Sequence, residues 1–455
     1  MKGVFEYIDS DKDRSIEALK ELVRQPSVSA TGEGITECAK LVERMLENLG
    51  AQPKMLTLQE QEKENGVPPL VVGEIKSRAN PGKTLLFYNH YDVQPPEPLE
   101  LWESSPFEPR ISEGRIYGRG CADDKGELVG RLKLTEAFLE AWGDLPCNFK
   151  FLIEGEEETG SAHLEEYKRR YPDAFRGDSV IWEFGGTNGE GRPQVILGVK
   201  GILYVELSTR NASIDAHSSL AAIIDNPAWR LVAALNTIKK EDRILVPGWY
   251  SDVRRFSSEE EGYLRSAPSE ERTIKKNYGV RNFIGGARGL EVKRALAGRP
   301  TCNICGITSG YSGPGAKTVL PMGARAKLDF RLVPDQDPRD LLRKLKRHLQ
   351  RSGFPDVKVD SIEMESASRT SPNEPIARAA AESARLVYAK PPVIQISSAA
   401  TGPMYLFRAP CVAIGGGHSE SRNHAPNENL RLDQFVMGMK WVAETASIFA
   451  GSTKS

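Results

Sequence analysis

The sequence predicts an α/β protein, a mainly parallel sheet flanked by helices and interrupted by an inserted α+β domain. Three observations predict it. Apolar runs such as Leu85-Leu86-Phe87-Tyr88 end abruptly in polar loops and alternate with amphipathic helical stretches, the pattern of parallel sheets. Near Gly201 the character changes to alternating, half-buried strands and a long charged stretch. After Ser371-Pro372 the first character returns. At 455 residues the chain exceeds one ordinary domain. Residues 1–200 and 370–455 are therefore assigned to one discontinuous domain and 201–369 to the insertion.

Each element has a local reason. Ser15 to Arg24 has amphipathic spacing and stops at Pro26, and Ile35 to Leu49 ends at Gly50. Thr57 to Asn65 is polar and predicts a loop. Leu70 to Ile75 and Thr84 to Tyr88 predict strands, and Pro95 to Pro109 a turn-rich loop. Arg115 to Gly120 leads into Cys121-Ala122-Asp123-Asp124-Lys125-Gly126 and a helix from about Glu127 to Trp142. Phe149 to Ile153 and Val180 to Phe184 predict strands, followed respectively by a run of glutamates and ended by Glu183. In the insertion, Ile202 to Thr209, Cys302 to Ile307, Ala324 to Val333 and Val357 to Met364 predict four antiparallel strands. Pro227 to Ile238 and Pro338 to Arg351 predict two helices on one face of that sheet. Residues 241–300 predict loops with short helices. Ile376 to Tyr388 and Leu432 to Phe449 predict helices, with a strand at Cys411 to Ile414.

Lysine plus arginine (61) nearly balances aspartate plus glutamate (62), which gives no case for nucleic acid or an anionic membrane as partner. No apolar run approaches the roughly 20 residues of a spanning helix. Met1 to Arg14 lacks the apolar core of a signal peptide. The six scattered cysteines fit a reduced compartment, and a cytoplasmic location is expected. Cys302-x-x-Cys305 has no second pair near it and is expected to pack in the interior.

Five side chains of ligand type fall at predicted strand ends or in the loops just after them: His90, Asp123, Glu158, Glu183 and His424. Two imidazoles and three carboxylates suit a pair of borderline divalent cations such as zinc, with cobalt or manganese as substitutes. A carboxylate bridging two metals about 3.5–4 Å apart would let them share one hydroxide and polarise a carbonyl. Each piece alone has a bland reading: an incidental His-x-Asp, a solvated glutamate run, an acidic helix N-terminus. Their joint occurrence at successive strand-to-helix junctions favours a site.

Several motifs carry a resemblance to the co-catalytic zinc peptidases and aminoacylases, which include carnosine dipeptidase, glutamate carboxypeptidase, acetylornithine deacetylase and succinyl-diaminopimelate desuccinylase. They are Asn89-His90-Tyr91-Asp92-Val93-Gln94-Pro95, Tyr117-Gly118-Arg119-Gly120-Cys121-Ala122-Asp123-Asp124-Lys125-Gly126 and Glu154-Gly155-Glu156-Glu157-Glu158-Thr159-Gly160-Ser161. Later come Asp215-Ala216-His217-Ser218, Gly315-Ala316-Lys317-Thr318-Val319-Leu320-Pro321, Arg331-Leu332-Val333-Pro334 and Asn423-His424-Ala425-Pro426-Asn427-Glu428. The inserted domain looks most like that of the carnosine-dipeptidase branch, a lid and dimerisation domain.

The resemblance implies two divalent metals, His90 and Glu183 holding one, Glu158 and His424 the other, and Asp123 bridging. Asp92 would accept the second ring N–H of His90 and fix its tautomer. Glu157 would be the general base, and the Thr159-Gly160 pair places base and ligand at Glu157 and Glu158 rather than one residue earlier. The peptide bond after Asp123 would be cis. His217 would stabilise the oxyanion from a neighbouring subunit of a homodimer. Arg331 would grip a substrate carboxylate, with Thr318 and Thr401 as lesser contacts. His418 competes with His424 as the last ligand, and the Asn427-Glu428 segment favours His424. His163 and His348 are expected to be structural. The reaction implied is hydrolysis of an amide next to a free carboxylate, in a small peptide. Glu183 stands where dipeptidases of the family usually carry Asp, which keeps open an N-acyl-amino-acid deacylase. A metal-dependent binding protein without catalysis is the third reading.

Overall fold

A computed structural model describes residues 1–58 and 66–451. Most of the predicted loop from Thr57 to Asn65 lies outside the described residues. The chain divides into two compact units: residues 1–198, 369–396 and 406–455, and residues 199–368 with 397–405.

The first unit is built on a ten-stranded sheet. Its central strands, Asn148–Glu154, Thr84–His90, Ser179–Trp182 and Cys411–Ala413, run parallel in that order. From Leu85 onward the strand Thr84–His90 is buried throughout, which is why it reads as a continuous apolar run rather than an alternating one. Phe87 packs on Phe149 and Phe151 of its neighbour at 5.1 and 5.3 Å. Antiparallel pairs flank this centre: Leu70–Ile75 with Asn148–Glu154, and Pro193–Ile196 with Gly186–Thr187. The sheet is therefore mixed, with a parallel centre and antiparallel pairing on either side. Helices Lys125–Trp142, Pro375–Tyr388 and Leu432–Ala450 supply much of the apolar cover. The N-terminus is also helical, Lys2–Ser10 then Lys12–Arg24. Sequence reading found only the second of these, because Val4 and Ile8 are the sole fully buried positions of the first.

The second unit holds an antiparallel four-stranded sheet in the order Asn303–Ser309, Gly323–Leu332, Gly201–Arg210, Lys358–Glu365. Leu203, Val205 and Leu207 point to one face, where they meet Leu231, Ala234 and Ile238 of helix Pro227–Ile238 and Leu341, Leu345 and Leu349 of helix Pro338–Arg351. Period two in the strand and period three to four in the helices thus bury one shared layer. Asp337 caps the second helix by accepting from the Arg339 amide, with Pro338 at the first helical position. Residues 241–300 contribute three short helices, Ser258–Ser266, Glu271–Tyr278 and Leu290–Gly298. Cys302 is buried as expected, but Cys305 is exposed, because Asn303–Ser309 is an edge strand with little covering it. No helix among the described residues is long and apolar enough to cross a membrane.

Phe330 is fully buried with its ring 4.7 Å from that of Trp249. Phe330→Ala is expected to cost about 3–5 kcal/mol through lost burial and a residual cavity. A denaturant titration followed by tryptophan fluorescence should show the midpoint falling accordingly.

Candidate metal centre

Parallel central strands bring their C-terminal ends to one edge, and the candidate ligands sit there. His90 is the last residue of Thr84–His90. Glu157 and Glu158 open a short turn just beyond Asn148–Glu154. Glu183 follows Ser179–Trp182 directly. Asp123 lies in the turn before helix Lys125–Trp142, with a cis peptide bond to Asp124 as the resemblance implied. His424 arrives from the loop before helix Leu432–Ala450, in a left-handed conformation at φ 60°.

Ligand atoms of His90, Asp123 and Glu158 lie within 4.8 Å of one another. The two oxygens of Asp123 face different imidazoles: Oδ1 is 3.2 Å from His90 Nε2, and Oδ2 is 3.1 Å from His424 Nε2. His424 Nε2 is also 3.1 Å from Glu158 Oε2. Trp182 Nε1 donates to Glu183 Oε1 at 3.0 Å, while Glu183 Oε2 is buried and has no hydrogen-bond partner.

The Asp92 residue contacts more than one element. His90 Nδ1 lies 3.0 Å from the Asp92 carbonyl oxygen and 3.3 Å from its Oδ1. The same carboxylate accepts the amides of Glu157 and Glu158 at 3.2 and 3.1 Å, so it ties the histidine strand to the glutamate turn. Sequence reasoning assigned no role to Glu428, Gln94 or Asn423. Glu428 is fully buried; it accepts the amides of Gly120, Ala122 and Asp123 at 2.9–3.0 Å and pairs with Arg119 at 2.7 Å. Gln94 donates to Glu158 Oε2 at 3.0 Å, and Asn423 to Asp123 Oδ2 at 3.1 Å. All three stand inside quoted motifs, close in sequence to a candidate ligand. Their residue types alone do not reveal what they touch.

The electrostatics are those of an acid-rich, largely buried site with His424 at its open side. Burial pushes the Glu157 carboxyl well above the ordinary range, outweighing His90, with Glu158 and Asp123 adding to the rise. Burial, then Glu157, does the same to Glu183. Burial also opposes ionisation of Asp123, but hydrogen bonds from His424 and His90 hold its carboxyl low. Burial disfavours a charged His90, yet its hydrogen bonds to Asp123 and Asp92 raise it well above an ordinary imidazole. His424 is raised to about 10 by its bonds to Asp123 and then Glu158. The carboxylates around Asp123 thus favour positive charge at this place, on an imidazole or on a bound cation. Nitrogen and oxygen donors in this number, with one buried carboxylate oxygen unpartnered, fit divalent metals of the zinc type.

Other candidates fall elsewhere. His418 lies in the short strand Gly417–His418, where its Nδ1 accepts the Glu420 amide at 3.2 Å. His163 pairs with Glu156 at 2.8 Å, and His348 Nε2 lies 2.9 Å from the Thr237 carbonyl oxygen. In the second unit, Arg331 Nη1 donates to Thr401 Oγ1, and its Nε to Asp329 Oδ2 at 3.3 Å. Ala216–His217 pairs with Val319–Leu320, and the Ser218 amide donates to the Thr318 carbonyl at 3.3 Å, so Thr318 adjoins His217 through the backbone. His217 is exposed, its Nδ1 2.8 Å from Ser219 Oγ.

The relatives agree with this architecture. A Cys-Gly metallodipeptidase, dug1, of Schizosaccharomyces pombe is 29% identical over 472 residues, spanning 98% of this chain and 98% of its own. The crystal structure of a M20 family metallo-carboxypeptidase, Sso-CP2, from Sulfolobus solfataricus superposes with TM-score 0.89 at 39% identity, covering 96% of this chain and 99% of that one. Human carnosine dipeptidase 1 superposes with TM-score 0.79 at 27% identity, covering 99% of both chains. The model of peptidase family M20/M25/M40 matches residues 86–447, a span that takes in every candidate ligand, and the chain belongs to that family.

Proposed function

We propose that this protein is a metal-dependent hydrolase that cleaves an amide bond next to a free carboxylate, as a dipeptidase or carboxypeptidase. The observation that carries the reading is Asp123 set between His90 and His424, with Glu158 on the same cluster and Glu157 beside it. His90 and Glu183 would hold one divalent metal, Glu158 and His424 the second, with Asp123 shared. Bound there, such cations polarise the scissile carbonyl and acidify water. The likeness to a Cys-Gly metallodipeptidase and to a metallo-carboxypeptidase supports a small peptide as substrate.

Glu157 takes the proton of the attacking water and passes it to the leaving amine. A carboxylate beside the reacting water can take a proton in one step and return it in the next. Asp92 fixes the tautomer and angle of His90. Arg331 supplies a planar fork for the terminal carboxylate, and Thr401, already on its Nη1, and Thr318 assist. His217 stabilises the oxyanion of the tetrahedral intermediate.

His217 acting from a second subunit, and a homodimer formed through the inserted domain, are part of this reading. The edge strand Asn303–Ser309 carries no charged residue and is exposed along nearly its whole length, Ile304 at 46% and Ile307 at 53%. A groove of about 500 Å³ beside it is lined by Val232, Leu235, Ile304 and Ile307. An uncharged open edge is what soluble proteins cover, and an antiparallel edge can pair with its own copy about a two-fold axis. The free cysteines support a reduced, cytoplasmic setting.

Glu183 supports a second reading, an N-acyl-amino-acid deacylase acting through the same residues. Assayed with zinc, cobalt or manganese, dipeptides are expected to be cleaved faster than N-acetyl amino acids, and a chelator should abolish turnover of both. Activity confined to the acylated set would replace the first reading by the second. No hydrolysis of either by metal-loaded protein would leave only a binding role.

Glu157→Gln is expected to lower kcat by about 10²–10⁴-fold with metal content unchanged. Loss of metal along with activity would make Glu157 a ligand instead. Light scattering at micromolar concentration should return twice the 50.2 kDa chain mass. A fully active monomer would remove His217 from the partner's site.

A further inference from the structure

Glu183 stands at a strand end where it feels the charges of Glu157, His90 and Asp123, on a side chain one methylene longer than aspartate, with more rotamers to lose on binding a metal. The fold constrains it from two directions. Trp182, the residue before it, is fully buried, stacked on Tyr88 at 4.1 Å and edge-on to Phe407 at 5.8 Å. Its ring is fixed by that packing, and its N–H meets Glu183 Oε1 at 3.0 Å. Behind the strand end, buried Arg131 of helix Lys125–Trp142 donates from Nη2 to the Ile414 carbonyl at 2.9 Å, with the Trp182 and Glu183 carbonyls at 3.3 Å. Glu127 pairs with Arg131 and accepts the amides of Gly416 and Gly417 at 2.6 and 3.2 Å. A Cβ at Gly415 would lie 2.2 Å from Glu127 Oε1, so this close approach needs glycine. The backbone on either side of Glu183 is held, and one of its two carboxylate oxygens is already engaged.

We propose that Trp182 is a positioning residue for one metal of the pair: its indole N–H holds Glu183 Oε1, so that Glu183 presents the unpartnered Oε2 alone and binds as a single-oxygen ligand. The inference rests on the two-metal reading. It also gives the Glu at this position a structural reason, since the longer arm needs an anchor that the adjacent indole provides. Outer partners of this kind orient a ligand in advance and set its basicity.

The test is zinc binding, not turnover. Metal-free wild type, Trp182→Phe and Glu183→Ala are titrated with zinc against a chromophoric chelator. Trp182→Phe keeps an aromatic ring against Tyr88 and removes the donor. Should it fail to fold, tryptophan replaced by its benzothiophene isostere keeps the bicyclic shape and still lacks the N–H. Wild type should bind two zinc ions. Loss of the N–H should weaken one of them about 10–100-fold and leave the other unchanged. Glu183→Ala should weaken that same ion. A merely structural role would weaken both ions together, and that result overturns the proposal. So does wild-type affinity at both sites in the N–H-lacking protein, provided Glu183→Ala has lost one; the two-metal reading then stands. A wild type that binds one ion, indifferent to Glu183→Ala, overturns the two-metal reading and this inference with it.

Discussion

One buried carboxylate governs the geometry of the centre, and it is not a ligand. Glu428 accepts three amides of one loop, those of Gly120, Ala122 and Asp123. It thereby decides where the Asp123 carboxylate can point. It also lies four residues beyond His424, so the same residue fastens the His424 loop to the Asp123 turn. Its charge is offset by Arg119, equally buried, whose second nitrogen donates to the Pro95 carbonyl at 3.2 Å. A buried pair of this sort adds little net stability over an apolar pair, but removing one partner strands the other's charge. Specificity of loop placement is what it contributes here.

The same solution recurs across the site. Carboxylates outnumber cationic side chains around it, and several of the buried ones are met by backbone amides or by a fixed donor. Asp92 takes the amides of Glu157 and Glu158. Asp124 takes the His90 amide at 3.1 Å and the Asn89 side chain at 2.7 Å. Glu127 takes the glycine amides of the 415–417 loop. These partners lie on different strands and loops, so satisfying the charges also locks the strand ends together. Burial raises the carboxyls of Asp124, Glu127 and Glu428 even with these partners, as it raises those of Glu157 and Glu183.

Much of this was legible in the chain. Helices Pro227–Ile238 and Pro338–Arg351 match their expected bounds, since a Pro after a capping Asn or Asp leaves little freedom at the start. Strand Leu70–Ile75 does as well. The mixed edges of the sheet were not legible: two- to four-residue strands such as Gly186–Thr187 have no periodicity to detect. Among site residues, those with diagnostic chemistry at a strand end or in a turn before a helix, such as His90 and Asp123, could be singled out. Glu428, Gln94 and Trp182 could not. Their roles depend on contacts across up to 309 residues or on the rotamer of a neighbour, and neither leaves a mark in local sequence.

The second unit's strand pairing has a consequence for how the chain assembles. Ile202 and Glu365 are directly opposed in its ladder, so the segment between them leaves and re-enters the chain at almost one point. With a core of its own, that segment can close as an independent cooperative block. To the rest of the polypeptide it then counts as a short splice rather than a long tether. Bringing His424 back to Asp123, 301 residues away along the chain, becomes a closure over far fewer effective links. The saving in free energy is small because closure entropy grows only logarithmically. The gain in search is larger, since the His424 loop then has fewer effective links to explore.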